Sequence, residues 1–108
     1  FKYNSLIENA KKSSVIILIC LQRDPLESIP EWEEIAAVSM SVQNMWLMSS
    51  NLKIGSYWSS PKLINYINEF TALNKGESCL GFYYMGNYDK EINQRTPGDI
   101  KDKTIWLG

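Results

Sequence analysis

Histidine is missing altogether from the 108 residues. Within this chain that excludes a His-ligated zinc site, a Ser-His-Asp triad and a Cys-His pair, so any reaction has to draw on carboxylates, backbone groups or a cofactor. No metal-ligand cluster and no catalytic side chain is legible. Cysteine is scarce: Cys20 and Cys79 each stand inside an apolar run, where cysteine behaves as a small hydrophobe. Both are expected to be buried free thiols, in keeping with a reducing cytoplasm rather than a disulfide framework.

An excess of either charge is also lacking. Eleven Lys and Arg stand against twelve Asp and Glu, a net charge of -1, and Lys11-Lys12 is the one adjacent basic pair. Neither a phosphate-tracking groove for nucleic acid nor a polybasic membrane anchor is written here. There is no clean membrane span either. The apolar stretch from Ile35 to Leu52 is interrupted by Ser39, Ser41, Gln43, Asn44, Ser49 and Ser50, so it reads as a buried helix of a soluble protein. Phe1-Lys2-Tyr3 opens directly on polar helical sequence with no signal peptide and no initiator methionine, which suggests a piece of a longer chain.

What is present is the composition of about one globular domain, with 44% hydrophobic residues. Residues 3 to 12 carry Leu6, Ile7 and Ala10 among polar residues and predict a short amphipathic helix. Val15 to Leu21 is a continuous, largely β-branched run, read as a central strand covered on both faces. Pro30 precedes Glu31-Trp32-Glu33-Glu34, an acidic first turn that complements the positive end of a helix over about 31 to 52. Glu33 and Glu34 are read as solvated, and Trp32 as a cap or lid.

That helix is apolar along Ile35, Val38, Val42, Met45 and Leu52, and again along Ala36, Met40 and Leu47, with Trp46 and Met48 widening the coverage. So broad an apolar surface has to be enclosed on several sides, which calls for a partner subunit or further chain. Asn51 and Gly55 suit the positive-φ positions that end a helix. A short strand is expected over Ile54 to Trp58, and a helix with Ser60 as N-cap and Pro61 at N1 continues to about Leu73. Cys79 to Gly86 is a second buried strand. The polar segment from Asn87 to Lys103 ends in Ile105-Trp106-Leu107, which suits a tail laid over another chain with Trp106 as anchor. The segment from Gly55 to Pro61 is the candidate site, because a strand running into a Ser-Pro helix start brings free backbone N–H groups to one spot suited to an electron-rich ligand.

The elements come in a telling order: Pro30-Glu31-Trp32-Glu33-Glu34, then Ala36-Ala37 with Val42-Gln43-Asn44-Met45, then Leu52-Lys53-Ile54-Gly55-Ser56-Tyr57-Trp58, then Leu80 to Gly86, then Arg95-Thr96-Pro97 with Trp106. Together they resemble the C-terminal part of the nitroreductase family. The resemblance implies an α+β fold with a central, mostly antiparallel sheet flanked by helices and a long helix buried in a homodimer. It implies FMN at the subunit interface, with NAD(P)H as co-substrate. The implied activity passes two electrons through the flavin to a small-molecule acceptor such as a nitroaromatic or quinone, by ping-pong turnover.

By position, Trp58, Ser59 and Ser60 correspond to the segment that lines the isoalloxazine ring and brings a backbone N–H to its N5 atom. Arg95 corresponds to the basic residue set against the FMN phosphate. Plainer readings stand beside these: Trp58 as a core aromatic, Ser60 as a helix cap, Arg95 as an exposed tail residue, and Gln43 and Asn44 as packing or dimer-contact groups. Lys53 stands where the family often has glycine, and Pro61 lacks a backbone N–H that some relatives aim at the flavin. The family's N-terminal Arg-x-Ser-x-Arg and Pro-Ser-x-x-Asn segments do not occur. On this reading residues 1–108 are the C-terminal portion of one nitroreductase-like domain, without the N-terminal FMN-binding segment. The alternative is a non-catalytic dimerisation or ligand-binding module that has lost the cofactor-binding half.

Overall fold

A computed structural model describes residues 2–89 and 95–108 of the chain. The elements follow in the order α1 (Lys2–Lys12), β1 (Val15–Gln22), α2 (Glu31–Asn51), β2 (Gly55–Ser59), a 3-10 helix (Lys62–Glu69), β3 (Glu77–Gly86) and a short second 3-10 helix (Ile100–Lys103). The part of the polar tail at 90–94 lies outside the described residues.

The three strands form one antiparallel sheet in the order β1-β3-β2. The central strand is therefore β3, and the expectation that Val15 to Leu21 is central is corrected. Its apolar run reads as doubly covered, but strand β1 sits at an edge of this sheet, and Val15 is 50% exposed. Burial alternates along it, with Ile19 and Leu21 inside and Cys20 exposed between them. In β3 the neighbouring rings Tyr83 and Tyr84 are both buried, one toward each face of the sheet.

Helix α2 lies on one face. Val38, Val42 and Met45 pack against Ile17 and Ile19 of β1, Trp58 of β2, and Leu80, Tyr83 and Met85 of β3. Tyr83 has no exposed surface; its hydroxyl donates to Ser56 Oγ at 2.8 Å and lies 3.5 Å from Ser49 Oγ, while Ser49 Oγ donates back to the Met45 carbonyl at 2.9 Å. One ring thus links α2, β2 and β3. Trp46 meets the same ring edge-on at 6.2 Å between centroids. The remaining apolar side chains of α2, among them Met40, Leu47, Met48 and Leu52, stay exposed in the single subunit.

Local chemistry fixes the ends of α2. At its start the expected solvated acidic turn is corrected for Glu34. This carboxylate pairs with Arg23 Nε at 2.5 Å and accepts from the Asp24 N–H at 2.6 Å, tying the end of β1 to the helix. At its end the residue in the left-handed region is Lys53, with φ 56, rather than Asn51 or Gly55. The Ile54 N–H donates to the Ser49 carbonyl at 2.8 Å and the Lys53 N–H to the Ser50 carbonyl at 3.1 Å, the paired bonds of a Schellman cap. A side chain in that conformation costs about 1–2 kcal/mol. Lys53→Gly is accordingly expected to raise stability by about 1 kcal/mol, read as a higher midpoint in urea unfolding; an unchanged or lower midpoint would contradict the assignment.

Candidate functional site

Strand β2 is short because its pairing with β3 ends at Ser59 opposite Phe82. Beyond that register the backbone of Ser60 and Pro61 leaves the ladder. Pro61, with ψ 159, is still extended, and the helix begins only at Lys62, as a 3-10 rather than an α-helix. Ser60 is therefore not its N-cap, which corrects the sequence reading: the proline holds the chain extended one residue longer. No side chain caps this helix.

The departure opens a cleft of about 710 Å³ between α1, the end of β2 and the 3-10 helix. Trp58, Ser59 and Ser60 all line it, with Pro61, Leu63 and Tyr66 on the helix side and Leu6 and Asn9 on the α1 side. A volume of this size falls in the range of cofactor and small-molecule sites, which run to roughly 300–1,000 Å³. Helix α1 is held there by its exit. The Ser13 hydroxyl donates to the Asn9 carbonyl at 2.8 Å, and the Ser14 N–H donates to the Met85 carbonyl of β3 at 2.8 Å.

Trp58 combines two placements that are alternatives in the sequence: it packs against the core cluster and also lines the cleft. Its position depends on Gly81, directly behind it on β3. A Cβ built there would meet Trp58 Nε1 at 2.5 Å and would run into the Ser59 carbonyl oxygen. Gly81 also adopts φ +145, which disfavours any other residue. The bare glycine lets β2 press onto β3 at the residues that form the cleft wall.

Two contributors carry no role of their own in the sequence reading: Tyr57, which falls inside the Gly55 to Pro61 segment, and Lys62, just beyond it. Tyr57 lines the cleft and stacks on its cross-strand partner Tyr84 with centroids 5.0 Å apart and planes at 15°. Burial pushes both phenols above their usual range, Tyr84 further influenced by Tyr57, so both remain neutral hydroxyls at neutral pH. Lys62 brings a cation into the cleft wall. Its only sequence signal is its place directly after Ser60-Pro61. Arg95 is exposed and does not line this cleft. The Ile105-Trp106-Leu107 tail is open as well, Trp106 being 88% exposed.

The sequence model of the Nitroreductase family matches residues 2–87. The chain belongs to the nitroreductase family. The sheet, the long helix and the cleft-forming turn all fall inside the matched span, so this nitroreductase-family chain carries its candidate site within its recognisable part. A crystal structure of a nitroreductase-like family protein from Bacillus cereus superposes with a TM-score of 0.78 at 22% identity, covering 98% of this chain. That likeness speaks for the fold, which is α+β with an antiparallel sheet. The chain spans 58% of the length of that solved relative. No curated protein matches the sequence. Among the described residues no helix is long and apolar enough to cross a membrane, and no group of three or more His, Cys, Asp or Glu is placed to hold a metal ion.

Proposed function

We propose that this chain is the ring-binding and dimer-forming part of an FMN-dependent oxidoreductase, with the isoalloxazine ring of FMN seated in the cleft beside Trp58, Ser59 and Ser60. The observation that carries this reading is the convergence of those three residues on one open cleft of about 710 Å³, with a broad wall of Tyr57, Leu63 and Tyr66. A flat heteroaromatic ring suits such a wall: apolar faces take its faces, and backbone beyond the end of the ladder is available to its edge. Ser60 supplies the N–H there, since Pro61 has none.

FMN bound in this cleft would supply two-electron chemistry between NAD(P)H and a nitroaromatic, quinone or related acceptor by ping-pong turnover. The residues of this chain orient the ring and tune its edge. Tyr57 stays neutral beside it. Lys62 and Arg95 are the cations offered to its phosphate; Lys62 stands in the wall, and Arg95 is free to approach from the tail, where a guanidinium would make a paired contact with phosphate. A second subunit covering the apolar side chains of α2 that stand exposed here, with Trp106 as a further anchor, completes the proposed homodimer.

The test is a flavin-fluorescence titration, with mass by light scattering on the same samples. Binding of FMN by a dimer is expected, and Arg95→Ala is expected to weaken it by about 1–3 kcal/mol, the worth of one charge-assisted contact. Equal affinity in Arg95→Ala and parent removes the phosphate role from Arg95. A colourless dimer that takes up no flavin overturns the cofactor reading in favour of a dimerisation or ligand-binding module.

A further inference from the structure

Cys20 and Cys79 lie 59 positions apart in sequence, yet they are register partners across the β1–β3 ladder. Their meeting depends on a bulge. Ile19 pairs with Gly81 and the next residue, Cys20, pairs with Cys79, so Leu80 is the extra residue on β3. Leu80 turns its side chain into the core with α2. Without the bulge Cys20 would face Leu80, and Cys79 would oppose Leu21, whose side chain is buried. With it, both cysteines project from the same side of the sheet, away from the core cluster.

We propose that Cys20 and Cys79 form a reversible dithiol–disulfide couple that exchanges with low-molecular-weight disulfides of the glutathione type. Residues directly opposed in an antiparallel ladder have Cα atoms about 4.5–5.5 Å apart, inside the span of roughly 4.4–6.8 Å that a disulfide bridges. Both thiols are free in the structure, Cys20 exposed and Cys79 half-buried with its Sγ 3.8 Å from the Gly81 carbonyl oxygen. The sequence expectation of two buried thiols is thereby corrected for Cys20. Accessibility assigns the order of events. The Cys20 thiolate attacks one sulfur of the small disulfide and releases one small thiol; the Cys79 thiolate then attacks the Cys20 sulfur and releases the second. Two protein thiols and one disulfide become one protein disulfide and two small thiols. The two electrons pass to the reagent, and the two protons lost by the cysteines end on the released thiols. Neither cysteine lines the cleft beside Trp58, so the test of the couple needs no flavin.

Burial raises the Cys20 thiol above its ordinary value, with the neighbouring Cys79 and Glu77 adding to the effect. Cys20 therefore rests as the thiol at neutral pH, and exchange is slow unless a small disulfide is present in excess. The test equilibrates the reduced protein across a series of oxidised-to-reduced glutathione ratios, quenches with acid, alkylates the remaining thiols and reads intact mass. The expected product is a species lighter by two hydrogens that takes no alkylating group, linked within one chain on a non-reducing gel. Cys79→Ser is expected to stop at a mixed disulfide with glutathione on Cys20; Cys20→Ser, at an exposed position, is expected to lose the two-hydrogen product altogether. The wild-type measurement decides without either variant. Wild-type protein that stays doubly alkylated to the oxidising end of the series, accumulates two glutathione adducts, or links only between chains would overturn the proposal.

Discussion

Gly81→Ala is expected to lose roughly 2–6 kcal/mol of stability, from backbone strain and overpacking of about 1–3 kcal/mol each. The strain arises because φ +145 at this position is a conformation that residues with a side chain rarely adopt. The overpacking arises because the new methyl group would lie 2.5 Å from Trp58 Nε1 and against the Ser59 carbonyl oxygen. Neither neighbour yields cheaply. Ser59 contributes backbone that is paired with Phe82, and Trp58 is wedged against the core. Since a whole domain is stable by only about 5–15 kcal/mol, the upper part of this range approaches complete unfolding. Where the variant folds, the displaced Trp58 and Ser59 should weaken any ligand held in the cleft. Urea unfolding followed by tryptophan fluorescence measures the first effect; a midpoint within error of the parent would show that β2 and β3 do not approach each other as described.

The second large effect is expected at Tyr83. Truncation to alanine removes a ring with no exposed surface and should cost about 3–5 kcal/mol, as for other buried aromatic residues. Tyr83→Phe separates the contributions. It keeps the ring against Trp46 and Val42 but deletes the hydroxyl that donates to Ser56 and approaches Ser49, at an expected cost of about 1 kcal/mol. Chemical denaturation of both variants should therefore show alanine costing several times more than phenylalanine. Equal losses would mean that the hydroxyl network, rather than packing, holds α2 to the sheet.

The parts legible in the sequence are those decided within a few residues. Helix α2 announces itself through Pro30, its acidic first turn and more than five turns of apolar spacing, and its observed end at Asn51 differs from the expected one by a single residue. Strands β1, β2 and β3 likewise appear close to where β-branched and aromatic runs place them. The order of the strands was not legible. An apolar run such as Val15 to Leu21 records that a strand is apolar, not how many neighbours pair with it, and pairing is decided by residues some 60 positions away. The bulge at Leu80, which brings Cys20 opposite Cys79, has no local signature beyond the adjacent Gly81. At the site, Trp58, Ser59 and Ser60 were found together because they are contiguous. The role of Tyr57 inside the same segment was not legible because its stacking on Tyr84 depends on register, and Lys62 was missed because the proline before it delays the helix. The cap at Ser60 failed for that same reason.

Among the described residues the middle strand of the sheet is also the last of the three to be made. During synthesis β1 emerges, then α2, then β2, and none of the three strands can pair with another until β3 follows. Local contacts therefore reward the growing chain little, and closure of long loops precedes most of the sheet. A nascent chain halted between Ser59 and Glu77 would hold β1 and β2 without the strand that pairs with both, a state prone to aggregation and in need of chaperone protection. Truncations that remove β3 should be lost from cells far more readily than those that remove only the residues after it.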